Sequence, residues 1–326
     1  MRTWYRRGLL AWLLWPASLL FGLAVLFRRI LFFLRILKSS HPGIPVVIVG
    51  NITAGGSGKT PLTLWIAELL RAKGWSPGIV SRGYGAKIEI PRAATIAAEP
   101  QEVGDEPIIL SRRSGCPVWV GEDRVQVAAI LRREEPKVDV LILDDGLQHY
   151  RMRRDLEICV VDARGVGNGF FQPAGPLREA QWRLRTVDAV VAHGFSKPGF
   201  YAMSLDGEEL HRMTDARDRK PVAAFAGQKV HAVAGIGDPN RFFLHLARYG
   251  LKPVPHPFPD HHAFKPRDLE FGDEAPVLMT EKDAVKLRHA ARPNWWVLPV
   301  TAKLDPAFGE WLLGRLDGFR RRSKAA

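Results

Sequence analysis

The chain has 326 residues, of which 46% are hydrophobic and 25% charged, which excludes a disordered protein and allows two domains with real cores. The formal net charge of +13 favours an anionic partner: nucleic acid, an acidic membrane surface or a phosphorylated substrate. The two cysteines, Cys116 and Cys159, stand beside apolar residues without metal-ligand spacing. We therefore interpret them as reduced and buried, and expect neither a zinc site nor a structural disulfide.

An uncharged stretch of twenty residues, Gly8 to Phe27, begins the chain and has about the length needed to cross a ~30 Å hydrocarbon core. The next run, "ILFFLRILK", is apolar with a basic stripe, which suits a helix in the headgroup layer. We predict a membrane anchor over residues 1–38. A cleaved signal peptide, for which there is no small-x-small site, and a buried core helix are the alternatives, and both full spanning and interfacial insertion are open. Basic residues flank the stretch: Arg2, Arg6, Arg7, Arg28, Arg29, Arg35 and Lys38.

Strand-like and helix-like runs alternate from residue 39 to about 200, which predicts a doubly wound, mostly parallel α/β sheet. In "GDEPIILSRRSG" we expect Asp105 to cap a helix, Pro107 to lie in its first turn and Gly115 to end it. The predicted strands are "PVVIVG", "SPGIVSRGYG" with its glycine loop, "CPVWVG", "VDVLILDDG", "DLEICVVDA" and "VDAVVAHG"; the other helices are "PLTLWIAELLRAKG" and "EDRVQVAAILRREEP".

The character of the chain changes at residues 201–221. "YAMSLDGEELHRM" predicts a hairpin around Asp206 and Gly207, and the polar "TDARDRKP" that follows predicts a connection. We therefore place a hairpin linker at 201–221 between a P-loop domain at 39–200 and a smaller C-terminal α/β domain at 222–326. In that last domain "GIG" at 235–237 lacks the third glycine of a dinucleotide-binding fingerprint, so we interpret it as a tight turn.

"GNITAGGSGKTPLT", residues 50–63, joins a strand-like run to a helix-like run. It carries a Walker A pattern in which Thr53 replaces the first glycine, so its backbone amides can cradle phosphate at the start of a helix. Lys59 is expected to reach the β- and γ-phosphates and Thr60 to hold Mg²⁺. The predicted nucleotide-binding residues are Thr53, Ala54, Gly55, Gly56, Ser57, Gly58, Lys59 and Thr60.

The strand "VDVLILDDG" ends in Asp144 and Asp145, where Walker B acids bind Mg²⁺ or its water shell; an ordinary Asp-Asp-Gly turn is the alternative. "TEKD" at 280–283 has the wrong spacing for a guanine-reading signature, since Lys282 and Asp283 are adjacent. ATP is therefore the predicted nucleotide, with Mg²⁺ as its metal.

Seven segments in order, "TAGGSGKTP", "SRGYG", "GDEP", "DDGLQH", "PAGPLRE", "FPDHH" and "TEKDAVK", resemble the tetraacyldisaccharide 4′-kinase family of lipid A biosynthesis over almost the whole chain. The resemblance implies transfer of the γ-phosphate of ATP to the 4′-hydroxyl of a tetraacylated glucosamine disaccharide 1-phosphate, forming lipid IVA. It also implies a location at the cytoplasmic face of the Gram-negative inner membrane, and a P-loop domain joined to a smaller α/β domain by a two-stranded linker.

A sugar hydroxyl is a weak nucleophile, so its transfer reaction benefits from a base. By the resemblance, Asp105 is that base, His261 is its partner from the second domain, and Glu106 helps to hold Mg²⁺. His262 stands beside His261, so the choice between the two histidines is open. The alternatives are a helix cap for Asp105 and a polar turn for "DHH".

Further polar residues are predicted to meet the acceptor sugar or its phosphate: Arg82, Tyr84, Gln148, His149 and Arg178, with loop or surface polarity as the alternative. In "QPAGPLRE", Gln172 stands where we expect an apolar residue. We expect a lipid substrate and a membrane surface as partners, and no obligate protein partner.

Two other functions compete with a lipid kinase. A membrane-associated P-loop switch ATPase or GTPase fits "GGSGKT", but not the "GDEP" and "DHH" segments or the anchor. The interpretation as a nucleic-acid-binding protein depends on the net charge alone, and the sequence has no recognised binding motif. We therefore expect no nucleic acid as a partner.

Overall fold

The computed structural model describes residues 2–325, and the side chains of residues 4–320. The N-terminal segment starts with a 3₁₀ turn, Arg2–Tyr5, followed by α1, Leu9–Leu13, and α2, Trp15–Phe33. Within the described residues α2 is the one helix long and apolar enough to cross a membrane, by length and composition alone. Two α/β layers follow, each built on its own sheet.

The first sheet has nine strands and is parallel except at its two edges. The order across it is β15-β8-β7-β6-β1-β5-β2-β4-β3, so β1 is central, with β6, β7 and β8 on one side and β5, β2 and β4 on the other. This is the doubly wound arrangement that the alternating pattern predicts. The strands are β1 Val46–Gly50, β2 Pro77–Ser81, β3 Arg92–Ala93, β4 Val118–Val120, β5 Val140–Asp144, β6 Leu156–Asp162, β7 Ala189–His193, β8 Tyr201–Asp206 and β15 Thr301–Leu304.

Two apolar clusters cover the faces of this sheet. One contains Val47, Leu62 and Phe308, and the other Ile48, Leu131 and Leu143. Because alternate residues of a strand point to opposite faces, the run "VVIV" in β1 supplies both clusters. The helices of this layer are α3 Lys59–Ala72, α4 Pro100–Val103, α5 Asp105–Ser114, α6 Arg124–Glu134 and, at the end of the chain, α9 Pro306–Ala325.

The prediction that Asp105 caps its helix is wrong. The N-cap of α5 is Gly104, whose φ of +90° belongs to the glycine-favoured region, and a Cβ there would lie 2.9 Å from the carbonyl oxygen of Tyr84. Asp105 is the first residue inside the helix. Pro107 in the first turn and Gly115 as the C-cap, with φ of +61°, are confirmed.

The second sheet has six strands in the order β10-β9-β14-β13-β11-β12, with β11 to β14 parallel. Its strands are formed by residues 209–298, and it has its own apolar clusters on both faces, around Leu246 and Met279. Its elements are β9 Glu209–Arg212, β10 Arg219–Pro221, β11 Lys229–Ala234, α7 Pro239–Arg248, β12 Lys252–Pro257, β13 Val277–Thr280, α8 Glu281–Ala284 and β14 Trp295–Leu298.

The predicted hairpin around Asp206 and Gly207 is wrong. The strands β8 and β9 on either side of this turn do not pair: β8 lies between β7 and β15 in the first sheet, whereas β9 pairs with β10 and β14 in the second. The turn therefore carries the chain from one sheet to the other. The antiparallel pair that does form is β9 with β10, across the polar "TDARD" segment.

The chain also returns from the second sheet to the first. Between β14 and β15 it crosses back, and β15 pairs antiparallel with β8. From α9, three side chains enter the core of the first layer: Phe308, Leu312 and Leu316. The domain boundaries stay a prediction, but residues 301–325, which it assigns to the second domain, lie on the first sheet.

The N-terminal segment is attached to the first layer along one face. Ser18 is buried and donates to the carbonyl oxygen of Phe171 at 2.6 Å, and it accepts from the amide of Ala174 at 2.9 Å. Gly22 lies against the Phe171 ring. The other faces expose apolar side chains, among them Leu9, Leu13, Leu20, Phe27 and Phe33.

Candidate active site

The glycine-rich loop lies between β1 and α3, as the sequence predicts. Gly55 and Gly58 have φ values of +103° and +97°, which L-residues with side chains rarely adopt. Asn51 is buried at the start of the loop and donates to the hydroxyl of Ser57 at 3.1 Å. The loop is therefore held open as a concavity at the N-terminus of α3, where backbone amides and the helix dipole favour phosphate.

Lys59 points from the start of α3 towards the end of β5, with its ammonium 3.6 Å from Asp145. Arg178 donates from one nitrogen to both oxygens of the same carboxylate, at 3.2 and 3.1 Å. Burial alone would raise the pKa of Asp145, but Lys59 and Arg178 outweigh it and lower the pKa to about 2. Asp145 is therefore ionised at neutral pH, in a left-handed backbone conformation with φ of +49°.

Asp144 is buried and accepts a hydrogen bond from the hydroxyl of Thr63 at 2.9 Å. Burial, together with the neighbouring carboxylates of Glu106 and Asp145, raises its pKa well above the ordinary value. The carboxylates of Glu106, Asp144 and Asp145 thus share this corner with the cations Lys59, Arg124 and Arg178. Within the described residues no group of three His, Cys, Asp or Glu side chains is arranged to hold a metal ion, so Mg²⁺ on Thr60, Glu106, Asp144 and Asp145 stays a prediction.

Asp105 and His261 meet across the cleft between the two sheets. Nδ1 of His261 lies 3.2 Å from Oδ2 of Asp105, and the ring of Tyr84 lies 4.7 Å from the imidazole. His261 has a φ of +61°, a rare conformation for a residue with a side chain, and such outliers cluster at functional sites. The neighbouring His262 is bonded to Asp268 instead, at 3.1 Å.

Asp105 is 5% exposed, and burial alone would raise its pKa. The hydrogen bond from His261 and the charges of Lys282 and Lys286 outweigh burial and lower the pKa to about 2. The carboxylate is therefore ionised at neutral pH. A buried, ionised carboxylate between a histidine and two lysines can accept a proton from a hydroxyl group brought close to it.

The other predicted substrate residues differ in their surroundings. Gln148 donates its amide to the carbonyl oxygen of Asn51 at 2.9 Å and to Glu179 at 2.8 Å, so it contacts the start of the glycine-rich loop. Burial and nearby arginines lower the pKa of His149 to about 3, and its Nε2 is buried without a bond to the described residues. Arg82 and Tyr84 are exposed beside the cleft.

The sequence interpretation missed several residues that shape this site. Arg164 donates to the carbonyl oxygen of Gly56 at 2.6 Å, and Arg124 donates to that of Asp145 at 3.0 Å. His193 at the end of β7 and Arg241 of α7 form a link to the loop. None of these four residues belongs to a segment for which we predicted a chemical role. The only signal in the sequence that could have identified them is their position near strand ends and helix starts.

Lys282 and Lys286 belong to the quoted segment "TEKDAVK", but no role was predicted for them. Lys282 contacts Glu106 at 3.1 Å, and Lys286 contacts Asp105 at 3.5 Å. Thr280 caps α8 and bonds Asp283, which also accepts from the amide of Gly235. The segment is thus a short helix followed by the start of a 3₁₀ helix, Val285–Ala290, and together they direct two lysines at two acids of the first layer.

Comparisons with known proteins agree with one another. Residues 10–317 match the model of the family described as tetraacyldisaccharide-1-P 4′-kinase. The chain is 48% identical over 319 residues to a tetraacyldisaccharide 4′-kinase of Methylobacillus flagellatus, covering 97% of this chain and 95% of the relative. It is 47% identical over 321 residues to the tetraacyldisaccharide 4′-kinase of Azoarcus sp., and this match covers 96% of this chain and 94% of the relative.

The fold has a solved counterpart. A crystal structure described as the "apo" form of LpxK from Aquifex aeolicus in complex with ATP superposes with a TM-score of 0.78 at 28% identity. The match covers 94% of this chain and all of that one. The arrangement of two α/β layers is therefore shared with a protein whose crystal structure is described as a complex with ATP.

Proposed function

The chain belongs to the tetraacyldisaccharide-1-P 4′-kinase family, and we propose that it transfers the γ-phosphate of ATP to the 4′-hydroxyl of a tetraacyldisaccharide 1-phosphate, forming lipid IVA. The observation that carries the proposal is the Asp105–His261 pair, at 3.2 Å, which is linked to the glycine-rich loop because Glu106, next to Asp105, acts on Asp144 at the strand end that Lys59 faces. A switch ATPase needs no base for a second substrate.

ATP binds with its phosphates in the glycine-rich loop, against Lys59 and the amides at the start of α3. The donor set fits Mg²⁺, since it consists of a hydroxyl and carboxylates, the oxygen ligands that this ion prefers; burial, and then the nearby carboxylates of Glu106 and Asp145, raise the pKa of Asp144. Thr60, Glu106, Asp144 and Asp145 would hold it, directly or through water. When bound, Mg²⁺ neutralises charge that develops on the phosphate oxygens.

Asp105 is the base of the proposed transfer. Its carboxylate takes the proton of the 4′-hydroxyl while that oxygen forms a bond to the γ-phosphorus, and the bond from phosphorus to the β–γ bridging oxygen breaks, so ADP leaves with the electron pair. A pKa of about 2 keeps Asp105 ionised at neutral pH. A weak base suffices when the hydroxyl proton is lost late, as in a loose phosphoryl-transfer transition state.

The acceptor is expected on the side of the cleft that carries Arg82, Tyr84, His149 and Arg178. Arginines suit the 1-phosphate and the transferring phosphate, because guanidinium groups bind phosphate bidentately. Arg178 already contacts Asp145, so it can contact an anion there only by dividing its donors between the two.

We also propose that the enzyme is bound at the cytoplasmic face of the inner membrane by its N-terminal segment. The exposed apolar side chains of α1 and α2 form the inserted surface. Arg28, Arg35 and Lys38 lie at its end and each adds about 1 kcal/mol of attraction to anionic headgroups. The acceptor is a membrane lipid, so the same surface holds enzyme and substrate together.

The contacts of the segment favour interfacial insertion over spanning. Before α1, Trp4 donates to the carbonyl oxygen of Pro173 and Arg7 to that of Asn168, both at 3.0 Å. Beyond the middle of α2, the guanidinium of Arg29 lies 4.4 Å from the Trp182 ring. Because both ends of the segment contact the layer that carries the nucleotide loop, both ends lie on the same side of the membrane in this arrangement.

Phosphate transfer from γ-labelled ATP to purified tetraacyldisaccharide 1-phosphate in detergent micelles tests the activity. We expect labelled lipid from the wild type and a loss of about 10²-fold or more with Asp105→Ala. Release of free phosphate at one rate with and without lipid, and no labelled lipid, would contradict the kinase and favour the switch ATPase.

Cysteine labelling tests the membrane arrangement separately. Tyr5→Cys introduces an exposed thiol before α1 into a chain whose two natural cysteines are buried. We expect a membrane-impermeant maleimide to label it in inverted vesicles and not in intact spheroplasts. Labelling in spheroplasts would mean that the segment spans the membrane.

A further inference from the structure

Lys282 reaches from α8 into the cleft, and its side chain is only 16% exposed. Three acceptors surround its ammonium nitrogen: Glu106 Oε1 at 3.1 Å, Asp260 Oδ1 at 3.2 Å and His261 Nε2 at 3.3 Å. An ammonium group has three N–H donors and no acceptor. Its three donors therefore match these three acceptors one to one.

The ammonium of Lys282 stays charged in this position. Its nitrogen lies against two carboxylate oxygens, Glu106 Oε1 and Asp260 Oδ1, and an ammonium group has donors and no acceptor. Lys282 can therefore only donate to His261.

This contact decides where His261 carries its proton. If Lys282 donates to Nε2, that nitrogen must be the bare, accepting one. The proton of the neutral imidazole then lies on Nδ1, which donates to Oδ2 of Asp105 at 3.2 Å.

The other protonation states fit the contacts poorly. A proton on Nε2 would point an N–H group at the Lys282 ammonium 3.3 Å away, and in the neutral ring it would also set a bare Nδ1 against the Asp105 carboxylate. An imidazolium ion also carries a proton on Nε2, so it too would point an N–H group at the Lys282 ammonium. The remaining carboxylate near Nε2, Asp260, is 3.7 Å away, beyond a good hydrogen bond.

We propose that Lys282 is a positioning residue that fixes His261 as the neutral Nδ1–H tautomer, so that the imidazole orients the Asp105 carboxylate and does not carry the substrate proton onward. The role within a reaction rests on the proposed kinase function. In this arrangement the proton taken from the hydroxyl stays on Asp105 until the product leaves. His261 supplies one directed hydrogen bond throughout the transfer.

The backbone and a neighbouring ring hold the imidazole in the same orientation. The amide of His261 donates to Oδ1 of Asp260 at 3.1 Å, the oxygen that also accepts from Lys282. The ring of Tyr84 packs against the imidazole ring of His261, with the two centroids 4.7 Å apart. Lys282 thus fixes both the loop that carries His261 and the nitrogen that faces Asp105.

The tautomer can be measured directly by NMR on the full chain in micelles, with ¹⁵N-labelled histidine. Two-bond couplings from the ring protons identify the protonated nitrogen, and His261→Gln assigns the signals by their loss. We expect the Nδ1–H tautomer in the wild type. Observation of the Nε2–H tautomer or of imidazolium at pH 7.5 would overturn the proposal.

Three lysine variants test the cause. Lys282→Met removes the donor at similar length, and we expect the Nδ1–H tautomer to be lost and kcat to fall about tenfold or more. Lys282→Arg keeps a cationic donor and should retain the tautomer and recover part of the rate. Lys286→Met is the matched control, because it removes a nearby charge that contacts Asp105 and Asp283 but not Nε2 of His261.

The outcomes separate this inference from the proposed function. An unchanged tautomer in Lys282→Met, with the fold intact by circular dichroism, would overturn the role of Lys282. Loss of the tautomer in Lys286→Met as well would mean that general charge, and not the contact with Nε2, sets it. Absence of lipid phosphorylation by the wild type would contradict the kinase function, and the NMR result would stand apart from it.

Discussion

His193 donates from Nδ1 to the carbonyl oxygen of Ser57 at 2.8 Å, across 136 residues of sequence. Its other ring nitrogen, Nε2, accepts from Arg241 of the second layer at 2.7 Å. The middle of the glycine-rich loop is therefore joined to α7 through one imidazole ring. Gly237, which precedes α7, also lies against the backbone of Gly56.

Two substitutions at His193 should have different effects on ATP binding. The amide of asparagine lies near the position of Nδ1, so His193→Asn can still donate to Ser57; the amide of glutamine reaches the position of Nε2, so His193→Gln keeps the contact with Arg241 and loses the one with Ser57. A lost hydrogen bond of about 1 kcal/mol predicts a KM for ATP raised about fivefold in His193→Gln and less in His193→Asn. Steady-state kinetics with ATP as the varied substrate measures this, and equal effects would contradict it.

Stability should fall on acidification because His193 is buried and neutral. Burial first, and then Arg241, lower its pKa from 6.5 to about 4. Below pH 6.5 the unfolded chain binds a proton that the folded chain does not, so stability falls as the pH drops towards 4 and this loss is complete below it. The lowered pKa corresponds to about 3 kcal/mol.

The matched comparison is His193→Asn, which has no titrating ring. Thermal unfolding of both proteins between pH 7 and 4.5 should reveal a steeper decline for the wild type. Parallel curves would mean that His193 does not contribute to the pH dependence.

Arg178 should not be replaceable by lysine. One of its guanidinium nitrogens bonds both oxygens of Asp145, whose backbone has a φ of +49°. Because an ammonium group lacks the planar fork that divides donors between a carboxylate and a phosphate, we expect Arg178→Lys to lower kcat about tenfold, close to the effect of Arg178→Ala. Recovery of most of the rate by lysine would indicate that only the charge matters.

Attachment of α2 and membrane insertion should respond to different substitutions. Ser18 is 2% exposed with two hydrogen bonds, so Ser18→Leu overfills the contact with Phe171 and breaks both; we expect a loss of about 2–3 kcal/mol in unfolding free energy. Leu20 is 69% exposed, so Leu20→Ser should leave stability within about 0.5 kcal/mol.

Vesicle flotation completes that comparison. Removal of an exposed apolar side chain predicts weaker binding of Leu20→Ser to vesicles with anionic lipid, by about tenfold for ~1.5 kcal/mol of lost burial. Equal binding of Leu20→Ser and the wild type would mean that this face of α2 is not inserted.

Local patterns were sufficient for the central strands and the glycine-rich loop of the first layer. The run "VVIV" and the glycines after it predicted a buried strand and a phosphate loop, because burial on both faces and positive φ values leave few other residue choices. The helix from "GDEP" was also predicted, but its cap was not. Gly104 at φ +90° takes the cap position, and this moves Asp105 into the helix.

Long-range pairing could not be predicted in the same way. The turn at Asp206 and Gly207 has the composition of a hairpin, yet β8 and β9 enter different sheets. Turn residues specify only that the chain reverses or bends, whereas the partner of each strand depends on apolar surface supplied by distant segments. The return of α9 to the first layer has the same origin, since Phe308 packs on the Trp65 ring.

The sequence alone determined the elements whose causes are local: the apolar N-terminal helix, the glycine-rich loop, the acidic strand end and, through ordered segments, the resemblance to one kinase family. Only the tertiary structure decided which charged groups meet. It brought His261, and not His262, to Asp105, directed Lys282 and Lys286 at the acids of the first layer, and joined His193 to Ser57. These contacts link residues more than 130 positions apart. Their energies depend on burial and on distances of about 3 Å, neither of which a local pattern of residues encodes.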